Sequence, residues 1–398
     1  NLVPKNLDPL INMIFLSFKT KIFQNVLSLA TEAFESNKQN EKVIEGLAII
    51  NLFLANNNEA IKYYKLLFQI NDKRILGRAP LLCCMNYASN INQEYYFNEC
   101  LKYSEILEKD LVPNKKKFFL DKEKKIKIVF LSSDFRNHSV SFFLKDLFFY
   151  IDKKMFDVIA LSNLGKDEED NMSQEIKNFT NEWHVIFEKT DIEIINLIKS
   201  LDVDILIDLN GLTEGNRINV VKNRCAPIQI CWLGYNNSTG LKNMDYLIAD
   251  HNLIKKGEEK LYSEKILYLP KIWNTYSRPT TLPPISHLNE KDSSLFSYGS
   301  FNNFKKISDD TIEVWSNIIK NSNSQIYLKN PNKNDSIDLK KNIIKKFTDK
   351  GVKKEKIIFL DYQKNTFNHL NLYNKIDLAL DTFPYPGVTT TFEAVLMG

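Results

Sequence analysis

The spacing of apolar residues changes character near Lys125, and that change most constrains the fold. Before it, apolar residues recur only at helical intervals. After it, short runs of strand length alternate with amphipathic stretches. The runs lie at 126–131 (Ile-Lys-Ile-Val-Phe-Leu), 156–161, 204–209, 228–233, 246–249 and 266–269. Helical spacing returns at 141–150 and 191–200. Such alternation predicts a mostly parallel, doubly wound α/β sheet. The stretch 274–292 holds Pro279, Pro283 and Pro284 among several Ser and Thr, and reads as a connector. A second α/β series follows, with strands expected at 296–301, 325–328, 356–360 and 377–381 and helices at 309–320, 337–348 and 368–373. Two Rossmann-like units in tandem are expected. Ligands bind such sheets at the carboxyl ends of the strands, so the expected site is the cleft between the units.

The region before the change repeats itself. Asn58-Glu-Ala-Ile-Lys-Tyr-Tyr-Lys-Leu-Leu67 resembles Asn98-Glu-Cys-Leu-Lys-Tyr-Ser-Glu-Ile-Leu107, about 40 residues on, and a weaker copy lies at 25–34. Periods of this size signal stacked helix pairs. Ala60 and Tyr64 fit the small-then-aromatic packing of a tetratricopeptide second helix, and Gly46 fits its first helix. The other reading is a generic helical bundle. Either layer presents a surface to a partner and does no chemistry itself. The charged stretch 115–125 reads as a linker. The expected domains are therefore helical repeats over 1–115, a first Rossmann-like unit over 120–280 and a second over 293–398. A length of 398 residues accommodates all three.

Several classes are excluded. With 53 basic against 49 acidic residues, the net charge of +4 gives no concentrated basic face for nucleic acid. No run of about 18 apolar residues suggests a membrane span. The five cysteines, Cys83, Cys84, Cys100, Cys225 and Cys231, show no C-x-x-C spacing. Neither a metal site nor a disulfide framework is expected, and reduced thiols point to the cytoplasm. Neither G-x-G-x-x-G nor the P-loop motif is present, which argues against a Rossmann dehydrogenase or a P-loop enzyme. Asp202-Val-Asp204 has the D-x-D form of metal-dependent sugar-nucleotide enzymes, but its place at a strand start favours a boundary role.

Five loop motifs, taken in order, are more specific. They are Ser132-Ser-Asp-Phe-Arg-Asn-His138, Leu209-Asn-Gly-Leu-Thr213, Ala226-Pro-Ile-Gln-Ile-Cys-Trp-Leu-Gly-Tyr235, Gly299-Ser-Phe-Asn-Asn-Phe-Lys-Lys-Ile307, and His369 followed by Asp377-Leu-Ala-Leu-Asp-Thr-Phe-Pro-Tyr-Pro-Gly-Val-Thr-Thr390. Together they resemble the catalytic region of the O-linked N-acetylglucosamine transferases, tetratricopeptide-bearing glycosyltransferases of the GT-B fold. The resemblance spans residues 125–398.

It implies transfer of N-acetylglucosamine from UDP-N-acetylglucosamine to protein Ser or Thr hydroxyls, inverting, without a metal or a resident cofactor, on acceptor proteins bound through the repeats. His138 matches the family's first-loop His, which accepts or relays the acceptor proton or binds the sugar. Lys306 matches the diphosphate-binding Lys, where an ammonium stabilises the departing UDP. Neighbouring Lys305 reads as a solvated charge. Asn303 stands where a side-chain amide contacts the nucleotide. Thr389 and Thr390 open a helix whose N-terminus suits phosphate. Glu393 matches the acid against the ribose, or serves only the helix dipole, and His369 matches a His near the uridine. Asn210, Gly211, Thr213, Gly234 and Tyr235 are expected to line the first unit's side of the site, whereas Trp232 is expected in the core. Three positions depart from the family: Val388 and Phe142 replace His, and Thr366 replaces a Lys near the uracil. Alternatives that fit the same pattern are a GT-B enzyme for another nucleotide sugar or a glycan acceptor, and a non-catalytic repeat scaffold. The short connector between the units suggests a bacterial-type member, and Asn1 and the apolar run ending at Gly398 suggest that both ends are cut, with the second unit unfinished and little turnover of its own.

Overall fold

The computed structural model describes residues 8–20, 22–111, 124–286, 295–330 and 336–398. The chain divides into two compact units, residues 92–278 and residues 1–91 with 279–398. Most of the linker expected at 115–125, and the end of the connector, lie outside the described residues.

The second of these units begins with α1 (Asp8–Thr20), α2 (Gln24–Ser36), α3 (Glu41–Phe53), α4 (Asn57–Ile70) and α5 (Arg78–Asn86). Each packs on the next, and α1 also touches α3. The repeat copies at 25–34 and 58–67 fall in α2 and α4, where Ala60 and Tyr64 are fully buried. The third copy lies in α6 (Gln93–Leu107), which belongs to the other unit.

That other unit has a seven-stranded sheet. Its strands are β1 (Ile126–Ser132), β2 (Phe156–Ser162), β3 (Glu182–Val185), β4 (Ile205–Asp208), β5 (Ile228–Cys231), β6 (Tyr246–Ala249) and β7 (Lys265–Tyr268). They lie in the order β3-β2-β1-β4-β5-β6-β7, every pair parallel. Helices α7 (Ser139–Tyr150), α8 (Asn171–Asn178), α9 (Asp191–Ser200) and α10 (Ile218–Val221) lie between the strands. β1 and β2 are buried over their last five residues, as near-continuous apolar runs in a covered parallel sheet should be. Phe130 of β1 packs on Phe148 of α7 at 4.7 Å. β3, Glu-Trp-His-Val, carries no apolar run because it is an edge strand paired with β2 alone, so periodicity misses it.

The unit formed by residues 1–91 and 279–398 carries a four-stranded parallel sheet. Its strands are β8 (Phe296–Ser300), β9 (Ser324–Leu328), β10 (Ile357–Phe359) and β11 (Leu378–Ala379), in the order β10-β9-β8-β11. Its helices are α11 (Asp309–Lys320), α12 (Ile337–Asp349), α13 (Thr366–Asn371) and α14 (Thr389–Leu396). Two expected elements shift. β11 pairs over two residues rather than five, as an edge strand beside β8, and the helix expected at 368–373 starts at Thr366 and ends in a 3₁₀ turn over Leu372–Lys375.

Within this unit the repeats and the α/β layer share one core: Ala55, between α3 and α4, joins Phe304, Trp315, Leu328, Ile343 and Phe347. α2 lacks a side-chain cap of its own. Asp338 of α12 supplies it, accepting from the Phe23 and Gln24 N–H groups at 2.9 and 3.0 Å, which satisfies donors the helix leaves open.

Candidate active site

In both sheets the first strand lies between its immediate successor and a later strand, β1 between β2 and β4 and β8 between β9 and β11. Loops after β1 and β4, and after β8 and β11, therefore leave at topological switch points, where such folds bind ligands. The residues singled out by sequence fall into two groups at these points, one in each unit.

At the β1/β4 switch, Asn210 ties two loops together. Its Oδ1 accepts from Ser133 N–H at 2.9 Å, and its Nδ2 donates to Ser133 Oγ at 2.8 Å and Asp134 Oδ2 at 3.0 Å. Asn210 is 1% exposed, so this amide serves the interior. Thr213 Oγ1 donates to the Asn210 carbonyl at 2.8 Å. Asp208 ends β4 and accepts from the Asn210 and Gly211 N–H groups at 3.2 and 3.0 Å. Burial pushes its carboxyl up to about 6, against those two hydrogen bonds. Gly211 takes φ +56°, and a Cβ there would collide with Tyr235. A Cβ on Gly234 would run into the Leu209 carbonyl, so both turns need glycine. Tyr235 is buried, and its hydroxyl meets that of Tyr96 on α6.

His138 is the N-cap of α7. Its Nδ1 accepts from Val140 N–H at 3.3 Å and stands 3.7 Å from Asp134 Oδ1. In this arrangement the neutral ring carries its proton on Nε2. Desolvation lowers its pKa below 6.5. Asp134 opposes that shift and Arg136 adds to it. Its side chain still keeps 43% of its surface open to solvent.

At the β8/β11 switch the chemistry is cationic. Lys306 sits in a 3₁₀ turn, Phe304–Lys306, capped by Asn303, whose Oδ1 accepts from Lys305 N–H at 3.0 Å. The Lys306 ammonium donates to the Pro386 carbonyl at 3.0 Å and lies 4.8 Å from the centre of the Tyr385 ring. Burial lowers its pKa to about 8, and Asp381 works the other way. Asp381 Oδ1 accepts from Asn302 Nδ2, Thr382 N–H and Gly387 N–H at 3.0, 2.8 and 2.7 Å, and Oδ2 accepts from Thr391 Oγ1 at 3.2 Å. Thr390 Oγ1 donates to Asn302 Oδ1 at 2.9 Å. Thr389 opens α14, and Val388 before it gives no side-chain cap, so the first N–H groups of the helix find no cap there. Glu393, 3% exposed, meets His369 Nε2 at 2.9 Å and accepts from Tyr373 Oη at 3.2 Å. Tyr373 Oη also lies 3.1 Å from the Thr390 carbonyl. Thus Asn303, Lys306, Thr389, Thr390, His369 and Glu393 gather around one loop and one helix start.

Other readings resolve as follows. Lys305, expected as a solvated charge, is half-buried, with its ammonium 4.7 Å from the centre of the Phe53 ring. Trp232 is core, its indole N–H bonded to the Trp273 carbonyl at 2.9 Å. Asp204 accepts from Lys127 N–H at 2.8 Å and Asp202 takes φ +50°, so the D-x-D pair shapes a strand start. Sequence reasoning left out Asp208, Asn302, Tyr373 and Asp381, although Asp208 and Asp381 stand at the carboxyl ends of their strands, where the signal was available. Among the described residues no cluster of His, Cys, Asp and Glu could hold a metal ion, and no helix is long and apolar enough to cross a membrane.

Comparison with known proteins identifies the fold and the family. The chain is similar along 99% of its length, with a TM-score of 0.86 and 23% identity, to a solved mutant O-GlcNAc transferase from Thermobaculum terrenum, covering 75% of that chain. That likeness defines a GT-B fold. Residues 86–292, just over half the chain, match the model for glycosyl transferase family 41. The chain belongs to that family. Curated relatives include the probable UDP-N-acetylglucosamine–peptide N-acetylglucosaminyltransferases SPINDLY of Arabidopsis thaliana (29% identical over 70% of this chain and 31% of that protein) and of Oryza sativa subsp. japonica (30% identical over 68% and 29%). The similarly named SEC of Arabidopsis thaliana is 26% identical over 69% and 28%. The chain thus spans about a third of the length of these relatives.

Proposed function

We propose that this chain carries the nucleotide-sugar machinery of an inverting, metal-independent transferase. It moves N-acetylglucosamine from UDP-N-acetylglucosamine to Ser or Thr hydroxyls of proteins held through the helical repeats, in the cytoplasm. The observation that carries the reading is Lys306. It is a half-buried ammonium in the turn after β8, and it reaches the Pro386 carbonyl on the loop that leads to the uncapped start of α14. A diphosphate seated there receives the ammonium, the N–H groups of Thr389 and Thr390, and the Thr389 hydroxyl. As the glycosidic bond breaks, negative charge grows on the departing UDP, and these fixed donors stabilise it without rearrangement. Glu393 lies one turn further along α14 and meets His369 of α13, the pair this reading assigns to the ribose and base side of the nucleotide.

His138 serves the acceptor side. With Nδ1 engaged by Val140, its Nε2–H orients a substrate oxygen. To take the acceptor proton at Nε2, the ring must carry its other hydrogen on Nδ1, directed toward Asp134. That pairing stabilises the imidazolium once it forms.

The test is titration calorimetry with UDP, GDP and ADP, beside transfer of labelled N-acetylglucosamine to candidate proteins. The reading expects UDP to bind best and His138→Ala to reduce turnover while sparing UDP affinity. A preference for GDP or ADP reassigns the donor, a change Thr366 and Val388 make reasonable. Binding of no nucleoside diphosphate sinks the proposal.

A further inference from the structure

Lysines 305 and 306 are adjacent in a single 3₁₀ turn, yet they point to different partners. Lys306 reaches the Pro386 carbonyl and the Tyr385 ring. Lys305 lies over Phe53, the last residue of α3. Two further contacts from the helical layer fix this choice. The Asn57 side chain, 6% exposed at the start of α4, donates to the Lys305 carbonyl at 2.7 Å. Tyr87, at the end of α5, packs edge-to-face on Tyr385, with centroids 5.5 Å apart and planes at 88°. The Tyr385 ring therefore has Tyr87 at its edge and the Lys306 ammonium against it.

A lysine is a point charge on a flexible four-carbon stem. It stabilises a diphosphate best when that stem is already held in place. We propose that Asn57 and Tyr87 of the helical layer are positioning residues for Lys306, so that the repeats, besides offering a surface to acceptors, preorganise the nucleotide diphosphate site. Asn57 sets the orientation of the 3₁₀ turn, and Tyr87 sets the ring that the ammonium rests on. This rests on the reading of Lys306 as the diphosphate ligand.

The experiment measures affinities of the full chain and its variants for UDP and for uridine, which lacks the diphosphate. Tyr87→Leu and Asn57→Ser should each weaken UDP binding roughly tenfold, the worth of a well-placed cation–π contact or hydrogen bond. Uridine affinity should change less than about twofold, since on this reading Lys306 serves the diphosphate alone. Tyr87→Phe, which keeps the ring, should restore UDP binding. Thermal melts identify any variant that fails to fold, and Asn57→Ser is the milder change if Tyr87→Leu does. Equal losses for UDP and uridine, or no loss for either, overturn the positioning role while leaving the nucleotide site intact. Failure of the parent chain to bind UDP overturns the function reading itself.

Discussion

The two switch points share a plan and differ in charge. In each, the strand beside the first ends near an aspartate that accepts backbone N–H groups of its own turn: Asp208 holds Asn210 and Gly211, and Asp381 holds Thr382 and Gly387. In each, an asparagine joins the two loops, Asn210 through Ser133 and Asp134, and Asn302 through Asp381 and Thr390. The difference is a cation. Lys306 stands near Asp381, whereas for the buried Asp208 only two backbone N–H groups oppose desolvation, and its carboxyl rises to about 6. On the function proposed, one topology thus supports both a site suited to anions and a site suited to hydroxyls and protons. Strand order fixes where a ligand sits, and a few side chains fix its chemistry.

Removing that cation tests the difference most severely. Lys306→Ala should lower kcat for sugar transfer roughly 10²- to 10³-fold, as loss of a charge-stabilising donor does elsewhere. A loss below about tenfold would place the diphosphate away from the β8/β11 switch.

The uncompensated carboxylate gives the next effect, and it appears in stability. The native pKa of Asp208 lies near 6, above the ordinary 3.8. The folded chain therefore binds this proton more tightly than the unfolded chain. The group's contribution is greatest below pH 3.8 and falls as pH rises through about 6, by an amount on the order of 3 kcal/mol. Denaturant melts of the parent and Asp208→Asn across pH 4.5 to 7.5 should diverge by that dependence. Parallel curves would mean that Asp208 is hydrated and that the two switch points are electrostatically alike.

Asn210→Ala probes the shared plan. It leaves the Ser133 N–H and the Asp134 carboxylate without their buried partner, at a cost of about 2 kcal/mol. The midpoint of a urea melt should fall, and turnover should fall with it because Asp134 no longer steadies the His138 loop.

Much of this was legible in the sequence, for identifiable reasons. β1, β2, β4, β8 and β9 show as apolar runs because covered parallel strands must be apolar. β3 does not show, because an edge strand of Glu, Trp, His and Val meets no such demand. His138, Lys306, Thr390 and Glu393 were accessible through motif order. Asp381 could have been singled out from its place just after a strand, but nothing in spacing tells that it will collect four donors from residues 302 to 391, Asn302 among them. The roles of Asn57 and Tyr87 were equally hidden, since each acts on a loop more than 200 residues away in sequence.

The smallest effect sharpens the comparison most, because it sets the two groups against each other in one measurement. A plot of log kcat/KM against pH reports the essential groups of the free enzyme. His138 is held below 6.5 by desolvation, so it is neutral at pH 7 and an acid limb should appear below that value. Lys306, near 8, should lose its proton on the other side of neutrality and give an alkaline limb. Between the limbs the rate changes only a few-fold, roughly twofold at each midpoint. His138→Ala should remove the acid limb and leave the alkaline one. Tyr87→Leu should move the alkaline limb upward, toward the ordinary 10.5, as the ammonium regains solvent. A profile in which one substitution shifts both limbs would show that the two groups titrate as one coupled system, and the division between an anion-binding switch and a proton-handling switch would fail.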